Sequence, residues 1–223
     1  MNEFDWGAFI EPILISIKIT IVASIIVFIL AIIVSRHMSR AKFRCKLILD
    51  TFFMIPLVLP PTVIGFILLF AFGKKGFLGQ LSEIVFGQSL VFTWWAGVIA
   101  AIVVAFPLVY QTMKAGFDSI DSDLEAVARS LGATEWQVFR YVALPLNKRM
   151  LVVAFTLGFA RSLGEFGATL MLAGNIPGRT QTVATAIYVA IDADRTLLAL
   201  AWVAILIIFS FIIMYFVRQP AKS

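Results

Sequence analysis

The sequence predicts an all-α membrane protein of about five transmembrane helices, with its N-terminus outside and its C-terminus inside. Of 223 residues, 61% are hydrophobic and 14% charged, with a mean hydropathy of +0.98. Soluble domains run near about 50% apolar and about 25% charged, so this chain cannot cover itself with enough polar surface to stay in water. Five apolar stretches reach the roughly 20 residues that a helix needs to cross a hydrocarbon core. Lys and Arg fall unevenly between the segments that join those stretches, which fixes the orientation. An ordinary soluble enzyme, a disordered chain and a collagen-like fibre are excluded by the same composition.

The first stretch, Ile13 to Val34, follows a segment that carries Glu3, Asp5 and Glu11 and no Lys or Arg. That is the wrong flank for a signal peptide, so the stretch is expected to stay in the mature chain. The second, Phe52 to Phe72, is interrupted by Pro56, Pro60 and Pro61, each of which removes a backbone donor and kinks a helix. Membranes tolerate such kinks where neighbouring helices or a cavity satisfy the freed carbonyls, so the kink serves either packing or a moving gate. The third, Leu90 to Tyr110, has Trp94, Trp95 and Tyr110 at interfacial depth. The fourth and fifth run from Leu151 to Ala173 and from Leu197 to Val217, the last with Tyr215 near its end. Apolar character continues around each stretch, and none shows the short alternation of a barrel strand.

With the N-terminus outside, the cytoplasmic segments hold Arg36, Arg40, Lys42, Arg44, Lys46, Lys114, Arg129, Arg140, Lys148, Arg149, Arg218 and Lys222. The external ones hold Lys74, Lys75, Arg179 and Arg195. This 12 to 4 bias accounts for the net charge of +5 as topology, with no need of a nucleic-acid partner. One Cys (Cys45) and one His (His37) allow neither an internal disulfide nor a Cys/His metal cluster within one chain, so no metal site is expected.

Residues 111–149 form the longest polar segment, within a single domain spanning 1–223. Ser122-Asp-Leu-Glu125 has the form of a capping box, with Ser122 as the cap and Glu125 reaching back to it. Leu124, Val127, Ala128 and Leu131 then fall on one helix face, and Gly132 stands where a helix ends in the left-handed conformation. Thr134-Glu-Trp-Gln137 repeats the box and opens a second short helix that Pro145 is expected to close. The segment's charges balance, which argues against DNA binding by this helix-turn-helix outline. Two physical readings stay open: a helical knob that docks into a groove on a cytoplasmic partner, and a self-packed cap over the bundle.

Glu125-Ala126-Val-Ala128-Arg-Ser-Leu-Gly132-Ala133, followed by Val142-Ala-Leu144-Pro145, resembles the "EAA" loop of ABC importer permeases. Registered on Gly132, Ala126 stands at the family's glutamate, Val127 and Ala128 at its two alanines, and Glu125 one residue early. The resemblance implies that this loop inserts into a separate ATPase subunit as the coupling helix. A second resemblance, to the permease subunit of molybdate ABC transporters, covers most of the chain. It is carried by Pro56-Leu-Val-Leu-Pro60-Pro61, Gly73-Lys-Lys-Gly-Phe-Leu-Gly79, Arg161-Ser162-Leu-Gly164-Glu165-Phe-Gly167-Ala-Thr169-Leu170 and Asn175-Ile-Pro-Gly-Arg179-Thr180-Gln-Thr182. Sulfate and thiosulfate permeases share the Gly-Glu-Phe-Gly-Ala core, whereas the Asn-Ile-Pro-Gly stretch leans toward molybdate or tungstate. The resemblance implies a type I ABC importer permease fold in a prokaryotic cell membrane. It also implies two copies of the chain forming one pathway, two cytoplasmic ATPases, and an external molybdate- or tungstate-binding protein.

Arg161, Ser162, Glu165 and Thr169 break the apolar rule inside the fourth stretch, with Gly164 and Gly167 allowing close backbone approach. Arg161 and Glu165, four residues apart, either pair to lock packing or serve the pathway. A tetrahedral dianion is suited by hydroxyls, backbone N–H groups and partial positive charge without a tight cage. Ser162, Thr169, Asn175, Thr180 and Thr182 offer such donors, and Arg179 could guide an anion at the outer surface. For Thr180 and Thr182, local capping of the next helix is an equal reading. Gly174-Asn-Ile-Pro-Gly178-Arg179-Thr180 has the wrong spacing and no Lys for a phosphate loop, so no nucleotide site is expected in this chain. ATP and Mg are then expected on the partner ATPase. Two further classes are a secondary carrier using Arg161 and Glu165 as coupling charges, and a membrane-embedded enzyme. Glu165 has no nucleophile, His or metal partner near it in sequence to support the enzyme.

Overall fold

The structure, a computed structural model, describes residues 6–218; Glu3, Asp5 and Lys222 lie outside the described residues. All regular structure among them is helical. Three helices are each long and apolar enough to cross a membrane: α1 (Trp6–Arg40), α5 (Trp94–Asp118) and α12 (Thr196–Arg218). Between them lie α2 (Lys46–Val58), α3 (Pro61–Phe72), α4 (Phe77–Phe86), α6 (Ser122–Ser130), α7 (Glu135–Val138), a π turn (Phe139–Ala143), α8 (Leu144–Leu146), α9 (Lys148–Leu163), α10 (Gly167–Ala173) and α11 (Val183–Asp192).

The bundle is built around α5. Its buried face is made of small residues, Ala96, Gly97, Ala100, Ala101 and Ala105, with Val104, Val109 and Met113 between them. Lipid tails are as apolar as side chains, so helices gain from meeting in a membrane mainly where small residues let backbones come close. On one side α1 presents Ile19, Ala23, Val27 and Ala31, and α9 packs from another, burying Ala154 and Gly158. The outer α11 buries Val183, Ala186 and Ala190 in a cluster with Ala199 and Trp202 of α12 and Phe9 of α1.

Two predicted spans are not single helices. α2 and α3 meet at 112°, because Leu59 and Pro60 each precede a proline, which disfavours the helical region for them. Both are extended, with ψ of 142° and 137°. Pro56, by contrast, stays inside α2. The fourth span is likewise cut, since α9 ends at Leu163 and α10 starts at Gly167. α10 crosses α3 at Gly65, where a Cβ would stand 2.8 Å from Ala168 Cα and 2.7 Å from Met171 Cβ. Gly65→Val is therefore expected to cost about 1–3 kcal/mol, the range of overpacked cores, read as a lower thermal midpoint in detergent. An unchanged midpoint would show that the crossing can shift.

Other boundaries also moved. α5 continues through Lys114 to Asp118 and α9 starts at Lys148, so within the expected 111–149 segment the part between these two long helices is 119–147. The α5 extension is tied down by ion pairs of Lys114 with Asp50 (3.3 Å) and Asp118 (3.7 Å), and by a Tyr110–Asp50 hydrogen bond.

Candidate coupling segment and translocation pathway

Segment 119–147 starts with Asp121, not Ser122, as the cap of α6: its carboxylate accepts from the Asp123 N–H at 2.9 Å. Glu125 does not reach back to complete a capping box. Its carboxylate turns to α1, where it accepts from Arg36 Nη1 (2.8 Å), Arg36 Nη2 (3.1 Å) and Arg40 Nη2 (2.5 Å), and from Arg129 Nη2 at 3.1 Å. Bonds from guanidinium groups are stronger than one from a neutral backbone donor, so the distant partners win. Arg129 also pairs with Glu135 at 2.5 Å, joining α6 to α7. Gly132 turns the chain between these helices with φ +88°.

The Thr134 box forms as expected, Thr134 Oγ1 accepting from Gln137 N (3.3 Å) and Gln137 Oε1 accepting from Thr134 N (2.8 Å). Pro145 does not close this helix. The wide π turn over Phe139–Ala143 relaxes the backbone pairing that a proline cannot supply, and the helix runs on to Leu146. It bends by 76° into α9 at the buried Asn147.

Glu125 is 1% exposed, whereas the apolar stripe that runs along the same helix faces out: Leu124 and Val127 are exposed, and Leu131, just past the helix end, is 82% accessible. Leu131, Gly132 and Ala133, with Ala128, Gln137, Tyr141 and Val142, line an open cleft. Ala126 and Pro145 are exposed, while Ala128, Ala133 and Leu144 are half-buried. A self-packed cap would hide this stripe against the bundle.

Burial alone would raise the Glu125 carboxyl, but the hydrogen bonds from Arg36 and Arg40, aided by their charge, hold it down at about 2 against the ordinary 4.5. A carboxyl depressed on folding adds stability that is present above its unfolded pKa and lost as pH falls through its folded one. The gap in thermal midpoint between wild type and Glu125→Gln is thus expected to be constant above pH 4.5 and to shrink between 4.5 and 2. A gap that keeps shrinking well above pH 5 would contradict the depressed value.

The second group of candidates sits at the two helix breaks. The start of α10 abuts the start of α3, a Cβ on Gly167 falling 3.1 Å from Pro61 Cβ and 3.2 Å from the Thr62 nitrogen. Non-helical backbone at membrane depth is tolerated only within protein or along a watery cavity, so this double break is the candidate gate. Arg161 Nη1 donates to Glu165 Oε2 at 2.9 Å, and Glu165 Oε1 accepts from the Ala168 N–H at 2.8 Å. Glu165 therefore both pairs and caps α10, the second role being invisible without the break. Ser162 and Thr169 are buried, Ser162 Oγ without a hydrogen-bond partner among the described residues; Pro60 and Gly164 are exposed and Arg161 is half-buried.

In the outer loop the hydroxyls are already used. Thr180 Oγ1 accepts from Ile176 N at 3.0 Å, and Thr182 and Thr185 form a capping box on α11. Thr180 and Thr182 are both buried, Thr180 bonded within the loop and Thr182 at the start of α11. Arg179 is exposed and Asn175 half-buried. The sequence reading passed over Lys18, inside the first span, whose Nζ lies 3.8 Å over the Trp94 ring. The lone Lys in an apolar stretch and the interfacial Trp94 that opens α5 were the available signals.

Two broken apolar spans packed against each other, with an exposed pair of short helices between α5 and α9, are the features that the comparison with known membrane transport permeases has to match. The chain belongs to the family described as "Binding-protein-dependent transport system inner membrane component", whose model matches residues 27–221. It is 51% identical over 218 residues to the "Putative molybdenum transport system permease protein YvgM" of Bacillus subtilis, covering 98% of this chain and 96% of that one. It is 38% identical over 192 residues to the molybdenum transport system permease protein ModB of Escherichia coli K12, covering 86% and 82%. Among solved structures, the MetNI methionine ABC transporter has a similar fold, with a TM-score of 0.73, 17% identity and coverage of 98% and 97%. The fold is thus that of a type I ABC importer permease.

Proposed function

We propose that this chain is the permease subunit of an ATP-driven importer of molybdate or tungstate in a prokaryotic cell membrane. Two copies form the pathway, two cytoplasmic ATPases dock on segment 119–147 and hold the ATP and Mg, and an external binding protein delivers the anion. The observation that carries the reading is the outward-facing stripe of Leu124, Val127 and Leu131 on a helix pinned from behind by Glu125. An exposed apolar helix face held at fixed distance from a membrane is a surface built to enter a partner's groove. The near full-length similarity to two molybdenum transport permeases supports the choice of anion.

The chain itself carries no chemistry in this scheme. Closure of the ATPases draws the two docking segments together, and the α3–α10 crossing at Gly65 and Gly167 changes which side the pathway opens to. Reconstituted with its ATPase and binding protein in proteoliposomes, the chain is expected to accumulate molybdate only when ATP is inside, with tungstate competing strongly and sulfate weakly. Uptake driven by an ion gradient without the ATPase would replace this reading with a secondary carrier. Sulfate competing best would make it a sulfate permease.

A further inference from the structure

We propose that Glu125 is the positioning residue through which displacement of segment 119–147 reaches α1, and that it makes no contact with the partner ATPase. The inference rests on the coupling role proposed above for that segment. A docking contact needs an accessible head group, and the Glu125 carboxylate is closed off by Arg36, Arg40 and Arg129. The two sides of α6 are thereby divided: Leu124, Val127 and Leu131 are offered outward, while Glu125 is given to the chain's own first helix. The Arg36 pair is a two-bond fork, which fixes direction as well as distance. The backbone of α6 packs chiefly on α7 and the π turn, so its hold on α1 is made by this side-chain cluster.

α1 is placed to carry such a displacement. At 35 residues it is about 52 Å long, enough to run from the cytoplasmic cluster to the outer loop as one rod. Near its other end Ser16 Oγ accepts from the Val183 N–H, the first residue of α11, at 2.8 Å. Phe9 stacks on Trp202 at 5.8 Å, and the Phe9 carbonyl accepts from Trp202 Nε1 at 3.0 Å. One helix thus latches the docking segment at one face of the membrane and α11 and α12 at the other. With Glu125 neutral, Arg36 and Arg40 would lose the anion that holds them together and Arg129 would keep only Glu135, so repulsion would open the latch.

The test uses the full complex in proteoliposomes with molybdate. Glu125→Gln is expected to keep the ATPase bound, within about twofold of wild type by co-purification, while molybdate taken up per ATP hydrolysed falls at least tenfold. Arg40→Gln, which removes one bond and leaves the Arg36 fork, should shift uptake per ATP the same way by a smaller factor. Spin labels at Phe43→Cys and Leu131→Cys, in a Cys45→Ser background, read the latch directly. Their separation should be fixed in wild type and wider in Glu125→Gln, even in the free chain. Loss of the ATPase from Glu125→Gln would make Glu125 a docking contact and overturn the proposal, as would unchanged uptake per ATP or an unchanged label separation. If wild type shows no ATP-driven uptake, the coupling reading fails first, and the label separation still decides whether Glu125 is a latch.

Discussion

Gly132→Trp is expected to abolish ATP-driven uptake and ATPase co-purification while the protein still inserts and folds. Gly132 has φ +88°, and a Cβ placed there meets nothing within 4 Å. The left-handed conformation costs an L-residue roughly 1–2 kcal/mol, which lowers the thermal midpoint but leaves the bundle intact. What the indole would occupy is the open cleft beside Leu131 and Tyr141, which are 82% and 73% exposed. Bulk in empty space harms only if another molecule must enter it. Gly132→Asn separates the two effects, because Asn tolerates the left-handed region and adds little volume. Asn is therefore expected to keep most of the uptake and Trp to lose it all. Equal loss in both would assign the defect to backbone strain and remove the argument for a partner at this surface.

What could be read from the sequence depended on how far apart the interacting residues lie. The Thr134 box was legible because donor and acceptor are three residues apart. The identical-looking pattern at Ser122 misled, because the partners that claim Glu125 are Arg36 and Arg40, some 85 to 89 residues away. Arg161 and Glu165 were legible as an i, i+4 pair, yet Glu165 as the cap of α10 was not, since a span written as one helix has no internal N-terminus. The breaks themselves were half visible: Pro60 and Pro61 announced an interruption, but only the extended Leu59 and Pro60 made it two helices at 112°. The outward stripe on α6 was readable as a stripe. Which way it faced was decided by Glu125, the residue that sequence alone had spent on local capping.

Glu165→Ala is expected to be the most destabilising single change within the membrane, at about 2–3 kcal/mol, because it removes two acceptors together. Glu165 is 3% exposed; one oxygen takes Arg161 Nη1 and the other the Ala168 N–H. Arg161 retains some access to water, its side chain being 30% exposed, which keeps the loss below that of a fully buried pair. Glu165→Gln preserves an oxygen for the Ala168 N–H and loses the ionic partner, so it should fall about midway between wild type and Ala in thermal midpoint. The double variant Arg161→Met with Glu165→Gln then tests the pair itself: it should be no less stable than Glu165→Gln alone, because the uncompensated cation is gone. If Gln and Ala are equally damaging, capping of α10 contributes nothing. If the double variant regains stability but not uptake, Arg161 acts on the transported anion as well as on packing, and the half-exposed guanidinium at the double break is part of the pathway.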